Sequence, residues 1–260
     1  MSQVLEFDIH ERIATLTLNR PDQHNAFNDE MIALWTRALE ECLVNDDVRC
    51  VVVTGAGKTF CSGGDLQELR GDIGNAASTQ KAKLWEGIHG VAKALHRLDK
   101  PVIAAVNGAA TGAGMDMALW CDLRFAADSA RFAETYVKVG LVPGDGGAWL
   151  LPRLIGTSRA LELLLTGDFI SAERALELGL VNRVYPAAEL LEQTYECAGQ
   201  LARGPRQAMR IIKRAVYQSH AQELHTHLDM MSSHMGVVMT APEHAEGVAA
   251  FLEKRAPRFE

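Results

Sequence analysis

The sequence lacks the cysteine spacing of a disulfide framework or a zinc site. Its five cysteines are an odd number and include no CxxC pair, which is typical of a protein kept reduced in the cytosol. The first residues lack the basic and apolar blocks of a signal peptide. No apolar run approaches the length that spans a membrane. We therefore expect a cytoplasmic protein without a bound metal and without a membrane partner.

Positive charge is also scarce. The 26 Lys and Arg residues are outnumbered by 33 Asp and Glu residues, so the formal net charge is −7. A general nucleic-acid binder depends on a basic surface, and this composition excludes that class. A small anionic ligand stays compatible with the composition, because a local cluster of Lys and Arg can hold phosphates on an acidic protein.

Several common catalytic motifs are missing. Gly112-Ala113-Gly114 is followed by Met115-Asp116-Met117, so the dinucleotide-binding GxGxxG pattern is broken. The sequence contains no HExxH zinc motif and no GxSxG nucleophile motif. These absences argue against a Rossmann dehydrogenase, a zinc peptidase and an α/β-hydrolase.

What the sequence does contain is an alternation of short apolar runs and helical patterns. Strands are predicted at 4–9, 13–18, 50–53 and 102–106, and helices at 29–44 (capped by Asn28), 79–98 and 114–120. After Pro186 the pattern turns helical, with helices predicted at 187–203, 205–219, 221–240 and 242–254. The prediction is an α/β core over 1–200 and a C-terminal helical region over 201–260, in one compact unit.

Two segments share a design of buried strand, small-residue turn and helix start. One leads from Val51-Val52-Val53 to Ser62-Gly63-Gly64, and the other from Val102 to Gly112-Ala113-Gly114. Such turns leave backbone N–H groups uncovered, and two converging N–H groups form an oxyanion hole. The same small residues also suit tight turns with no further role, and spacing alone leaves the two readings open.

Several stretches resemble the crotonase (enoyl-CoA hydratase/isomerase) superfamily, and together they cover essentially the whole chain. They are Asn19-Arg20-Pro21 with Asn25-Ala26-Phe27, Phe60 to Leu66, Ala105-Val106-Asn107-Gly108 through Cys121-Asp122, Gly140-Leu141-Val142-Pro143-Gly144-Asp145-Gly146-Gly147 with Leu151-Pro152-Arg153, Leu164-Thr166-Gly167, and Ala172-Ala175-Leu178-Gly179-Leu180-Val181-Asn182.

The resemblance implies a spiral of ββα turns followed by helices that assemble homotrimers, often paired into homohexamers. It implies an acyl-CoA thioester as substrate, with the thioester oxygen held by the backbone N–H groups of Gly64 and Ala113. No cofactor is implied, because the CoA is part of the substrate. The implied CoA-binding residues are His24, Ala26, Ser62, Gly64, Asp65, Leu66 and Lys254.

The acid–base positions depart from the pattern of the family's hydratases, which use two glutamates. Asp116 stands at the first position and Tyr136 at the second. Asp145 lies in a glycine run that some family isomerases decorate with aspartate, usually one position earlier, and an N-cap on a helix that begins near Gly146 is the alternative interpretation. Glu134 would point to the same side as Tyr136 on an extended backbone, and we expect it to be solvated or structural.

The catalytic candidates are therefore Asp116, Tyr136 and Asp145, in an enzyme that stabilises a thioester enolate. Enoyl-CoA hydration or isomerisation is the leading prediction. Another reaction on the same oxyanion hole is the alternative, namely thioester hydrolysis, decarboxylation or C–C cleavage. A further alternative is a homologue that binds acyl-CoA but has weakened catalysis. The sequence leaves the acyl chain length open.

Overall fold

A computed structural model describes residues 3–259, in which ten strands form two sheets. The larger sheet has six strands in the order β1 (Leu5–His10), β2 (Ile13–Leu18), β3 (Cys50–Gly55), β5 (Val102–Val106), β7 (Leu123–Ala127) and β10 (Arg183–Tyr185). The smaller sheet has four strands in the order β4 (Thr59–Cys61), β6 (Ala109–Thr111), β8 (Arg131–Ala133) and β9 (Ile170–Ser171). The strands pair in parallel except β1 with β2 and β8 with β9.

Twelve α-helices lie between and after these strands in the described residues. They are α1 (Asp29–Val44), α2 (Leu66–Gly71), α3 (Ala77–Ala82), α4 (His89–Arg97), α5 (Ala113–Leu119), α6 (Gly147–Ile155), α7 (Thr157–Thr166), α8 (Ala172–Glu177), α9 (Leu190–Ala202), α10 (Arg206–Ser219), α11 (Leu224–Met239) and α12 (Pro242–Leu252). None of them is long and apolar enough to cross a membrane.

The chain repeats one path: a strand of the larger sheet, a short strand of the smaller sheet, then helix. This path is followed by β3–β4–α2, by β5–β6–α5 and by β7–β8 before α6. It confirms the predicted α/β class and the ββα spiral. Every residue of β3 and β5 is buried, and apart from Thr54 in β3 both strands consist of apolar or small residues, as is typical of central parallel strands.

Most of the predicted elements agree with the structure to within a few residues. Asn28 caps α1 as predicted, since its side chain accepts a hydrogen bond from the Met31 N–H. The helix predicted at 79–98 is different. It is divided into α3, a π-helical turn at Lys83–Ile88 and α4, and π-turns of this kind are frequent at functional sites.

The C-terminal helices divide into two kinds. Helix α9 packs against the larger sheet and belongs to the core. Helix α10 is tied to the core by ion pairs of Arg210 with Asp99 and of Lys213 with Asp122, each at 2.7 Å. Helix α11 packs against α10 and α12 but buries none of its own residues. The predicted region from residue 201 thus begins near the end of α9.

Candidate active site

The loop between β2 and α1 is fastened to the first glycine-rich turn by a buried asparagine. The side chain of Asn25 is fully buried. Its amide nitrogen donates to the carbonyls of Ala56 at 2.9 Å and Thr59 at 2.6 Å, and its oxygen accepts from the Arg20 N–H at 2.9 Å. This network fixes the loop against β4, so the residues on both sides share one rigid surface.

The two glycine-rich turns that follow β4 and β6 are in direct contact. Strands β4 and β6 pair in parallel, and a Cβ on Gly114 would lie 2.2 Å from the Cys61 carbonyl oxygen. Gly63 has a positive φ of 95°, and a Cβ there would lie 3.4 Å from the Ala113 nitrogen. Only glycine at these positions lets the two backbones approach so closely.

Two backbone N–H groups are left free where these turns meet. Within residues 3–259, neither the Gly64 N–H nor the Ala113 N–H makes a hydrogen bond. Ala113 is the first residue of α5, where N–H groups have no partner inside the helix. Two free donors on touching turns form an arrangement that can accept a developing negative charge.

Close to these donors, the three predicted acid–base residues come together. The hydroxyl of Tyr136 lies 2.8 Å from Oδ2 of Asp116 and 2.8 Å from Oδ2 of Asp145. Asp116 lies in the first turn of α5, and Asp145 lies two residues before α6. The structure therefore places one phenol between two carboxyl groups that come from different elements.

The chemistry of the phenol determines how many protons Asp116, Tyr136 and Asp145 share. A phenol has one proton, so Tyr136 donates to one carboxylate at a time. If Asp116 and Asp145 were both ionised, one of them would face only a lone pair of the Tyr136 oxygen. Both hydrogen bonds therefore form only when one of the two carboxyls carries a proton. Burial raises the pKa of both carboxyls, and it raises that of Asp116 to about 6 against the hydrogen bond from Tyr136, which lowers it. The trio thus suits one acid and one base.

Asp145 is held in place by contacts from two other helices. Its backbone carbonyl accepts a 2.8 Å hydrogen bond from the Trp120 indole, and the neighbouring Gly144 carbonyl lies 2.8 Å from Nε2 of His89. The alternative interpretation, in which Asp145 is the N-cap of α6, is wrong. The N-cap of α6 is Gly146, and no side chain caps it, so the Asp145 carboxyl is free for Tyr136.

Glu134 also belongs to this cluster, so of the two expectations for it, a solvated or a structural side chain, the first is wrong. Its side chain is fully buried. A Cβ on Gly147 would lie 2.3 Å from Oδ1 of Asp116 and 3.1 Å from Oε1 of Glu134. Gly147 therefore gives both carboxyls room beside the start of α6.

The residues implied to bind CoA fall in two places. Five lie on the fastened loop and on the turn after β4, namely His24, Ala26, Ser62, Gly64 and Asp65, and the exposed Leu66 begins α2 beside them. The Ser62 N–H donates to the His24 carbonyl at 3.1 Å, and Asp65 caps α2 and pairs with Arg20 at 2.9 Å. Lys254 is exposed and follows α12, apart from the others in sequence.

Two members of the site lay outside the sequence prediction. Glu134 is two residues from Tyr136, and that spacing was its only sequence signal. His89 comes from α4, more than fifty residues before Asp145, and no local pattern singles it out. Between residues 3 and 259, no group of three or more His, Cys, Asp or Glu side chains is arranged to hold a metal ion.

Comparison with known proteins supports one family throughout. A sequence profile of the enoyl-CoA hydratase/isomerase family matches residues 8–260. The 1,2-epoxyphenylacetyl-CoA isomerase of Escherichia coli K12 is 38% identical and covers 100% of this chain and 99% of its own length. The 2,3-dehydroadipyl-CoA hydratase of the same strain is 34% identical and covers 96% of this chain and 95% of its own length.

Comparison with solved structures supports the same family. The crystal structure of an enoyl-CoA hydratase from Mycobacterium smegmatis superposes with a TM-score of 0.92 at 37% identity. The superposition covers 99% of this chain and 99% of that one.

Proposed function

This chain belongs to the enoyl-CoA hydratase/isomerase family, which is part of the crotonase superfamily, and is an enzyme of that kind; we propose that it moves a carbon–carbon double bond in an enoyl-CoA thioester. The observation that carries this proposal is the Tyr136 hydroxyl lying 2.8 Å from both Asp116 and Asp145. The family's hydratases activate water with a pair of glutamates, and here a phenol stands at the second of those two positions.

The proposed oxyanion hole consists of the Gly64 and Ala113 N–H groups. When a proton leaves C2, the electron pair moves into the thioester, and negative charge develops on the thioester oxygen. Two preorganised donors stabilise this charge more strongly in the transition state than in the ground state. Because backbone groups supply both donors, alanine at position 113 is as suitable as glycine.

The proposed acid–base steps use the two aspartates in turn. Ionised Asp116 takes a proton from C2 of a 3-enoyl-CoA, which gives a dienolate. Protonated Asp145 then delivers a proton to C4, and the electron pair returns to form the conjugated 2-enoyl-CoA. Asp116 now holds the proton that Asp145 lacks. Transfer through the Tyr136 hydroxyl restores the starting state, so atoms and charges balance without metal or redox cofactor.

The carboxyl cluster is covered in this structure, and the proposal therefore includes a movement. Asp116 is fully buried. A Cβ on Gly144 would lie 3.2 Å from Cδ2 of Leu84, so Leu84 of the π-helical turn at Lys83–Ile88 is close to the loop that carries Asp145. We expect the acyl group to enter by displacing this turn, and closure over the substrate would exclude water from the enolate.

The CoA moiety is proposed to lie along the fastened loop and the turn after β4. His24, Ala26, Ser62, Asp65 and Leu66 are adjacent to the free Gly64 N–H through the contacts described above, so a thioester at Gly64 brings the rest of CoA to them. Lys254 is exposed on the C-terminal region and is proposed to contact CoA of its own or of a neighbouring subunit.

The reaction assay distinguishes isomerisation from hydration. Purified protein should convert a 3-enoyl-CoA to the conjugated 2-enoyl-CoA. The reaction is measured as a rise in the ultraviolet absorbance of the double bond conjugated to the thioester. Crotonyl-CoA in the same buffer should be hydrated at least about a hundredfold more slowly in kcat/KM, because Tyr136 stands where the family's hydratases have their second glutamate and a phenol is a poor general base. Comparable rates of hydration would replace isomerisation as the assigned reaction.

We propose a homotrimer or homohexamer assembled through the C-terminal helices. Leu224, Leu228, Met235 and Met239 share one face of α11, and each is more than half exposed. A monomer rarely leaves such a stripe uncovered.

Light scattering at micromolar concentration should give three or six times the mass of one chain. Met235→Glu should lower this mass, because it places a charge in the apolar face. Val44→Glu is the matched control, since Val44 is exposed at the end of α1 and the assembly should survive there. A monomeric wild-type protein would contradict the proposal.

A further inference from the structure

Glu134 presents a problem of buried polar atoms. The residue lies between β8 and the 3₁₀ turn at Thr135–Val139, and its side chain is fully buried. With the carboxyls ionised, neither oxygen of Glu134 has a hydrogen-bond partner in the described residues, and neither does Oδ1 of Asp116 or Oδ1 of Asp145. Buried polar atoms without partners are rare and costly, so these atoms require an explanation.

Two of these unpaired atoms face the same small space. Oδ1 of Asp116 and Oε1 of Glu134 both lie against the position that a Cβ on Gly147 would occupy, at 2.3 Å and 3.1 Å. Two ionised oxygens in this space would repel each other without solvent to screen them. A single proton on Glu134 changes the pair into a hydrogen-bond donor and an acceptor.

We propose that Glu134 is a neutral carboxylic acid that donates a hydrogen bond to Oδ1 of Asp116, orients the Asp116 carboxyl and stabilises its ionised form. The inference rests on the proposed function, in which ionised Asp116 takes the proton from C2. Glu134 is a positioning residue, because it acts on the substrate through Asp116.

The charges around Glu134 support this assignment. Asp116 on α5 and Asp145 before α6 both face the cluster, and Tyr136 is hydrogen-bonded to these two. His89 on α4 lies nearest to Asp145, at 3.9 Å, and no cation within residues 3–259 pairs with Glu134.

Lys138 in the same turn pairs instead with Asp168 at the surface. Burial, together with the charge of Asp116, raises the pKa of Glu134 to about 10. Burial raises the pKa of Asp116 to only about 6, because a hydrogen bond from Tyr136 opposes the rise, with smaller contributions from the Gly147 N–H and, last, from Glu134.

The first test compares two substitutions of nearly equal size by the pH dependence of kcat/KM. Glu134→Gln keeps a neutral donor that can reach Asp116, so kcat should stay within about threefold of wild type with the same acid limb. Glu134→Met removes the donor, so the acid limb should move up by about one pH unit, and kcat/KM should fall about twofold at pH 7 and about tenfold at and below about pH 5.

Two results would contradict the proposed role of Glu134. If Glu134→Gln loses as much activity as Glu134→Met, an ionised Glu134 takes part in the chemistry and the inference is wrong. If both variants behave as wild type, the hydrogen bond has no role in positioning Asp116, which also overturns it.

A second test reads the proton on Glu134 without using the reaction. A folded-state pKa of about 10 lies above the ordinary glutamate pKa of 4.5. Between these values the folded protein holds a proton that the unfolded chain has released, so wild-type stability falls as pH rises. Glu134→Gln removes this linkage, and the ratio of the two unfolding constants should change about tenfold per pH unit between about pH 5 and 9.

Denaturant unfolding of both proteins at one concentration measures this ratio. Parallel stability curves would show that Glu134 is ionised in the folded protein and would overturn the inference. This result does not depend on which reaction the enzyme performs, so failure of the proposed isomerisation and failure of the Glu134 assignment can be told apart.

Discussion

Asp116→Asn should lower kcat by at least about a hundredfold, with little change in the affinity for CoA. Asparagine keeps the shape of the side chain and can still bond to Tyr136, but it cannot accept a proton from carbon. Steady-state turnover of a 3-enoyl-CoA measures the loss, and calorimetric titration with a non-reacting acyl-CoA measures the binding. Asp128→Asn is the control, because Asp128 is exposed and lies outside the cluster.

The pH dependence tests the same role. A base must be ionised to act, and burial raises the pKa of Asp116 to about 6. Wild-type kcat/KM should therefore fall about tenfold per pH unit below about pH 6, and the residual activity of the Asp116→Asn variant should lack this limb. A variant with near-wild-type turnover would transfer the role to Asp145.

Stability separates a functional from a structural role for Asp116. Its folded-state pKa lies above the ordinary aspartate pKa of 3.8, so the ionised carboxylate destabilises the folded protein at neutral pH. The asparagine variant should consequently unfold at a denaturant concentration equal to or higher than the wild type at pH 8. Lower activity with unchanged or higher stability is the expected signature of a site that sacrifices stability for function.

The sequence predicted much of this site because its parts lie at fixed positions in motifs. Asp116 was placed three residues after Ala113, and the first turn of α5 gives that spacing in the structure. Tyr136 and Asp145 were candidates on the same basis, and their hydroxyl and carboxyl are 2.8 Å apart. Motif position thus identified the residues, although it left their mutual geometry undefined.

The remaining features depend on contacts between segments distant in sequence. Glu134 was expected to be either solvated or structural, and an isolated glutamate favours water. Its burial results from β8, α5 and the start of α6 meeting around Gly147. Asp145 could equally have capped α6, but Gly146 adopts a φ of 123° and serves as the N-cap itself. The π-helical turn within the predicted helix 79–98 likewise has no local sequence signal.

Gly114→Ala should reduce both stability and turnover, opposite in sign to the usual effect of alanine in a helix. Alanine normally stabilises a helix relative to glycine by up to about 1 kcal/mol. Here the new Cβ would lie 2.2 Å from the Cys61 carbonyl oxygen, a backbone atom that cannot rotate away. Forcing these backbones apart should cost roughly 1–3 kcal/mol of unfolding free energy and lower the Tm by several degrees.

The same displacement should disturb catalysis through the oxyanion hole. Gly114 follows Ala113, and Cys61 lies three residues before Gly64, so separating the two turns moves the two free N–H groups away from a common point. Loss of one such donor typically reduces kcat by about a hundredfold or more. We expect a loss of this size in kcat for the 3-enoyl-CoA, measured well below the Tm of the variant.

Gly87→Ala provides the matched control for this last substitution. Gly87 lies in the π-helical turn, and no atom lies within 4 Å of a Cβ built there. This variant should be as stable as the wild type or slightly more so, because alanine lowers the entropy of the unfolded chain. If Gly114→Ala retained wild-type kcat despite a lowered Tm, the contact between the two turns would serve only folding. Stabilisation of the enolate would then have to come from donors other than the Gly64 and Ala113 N–H groups.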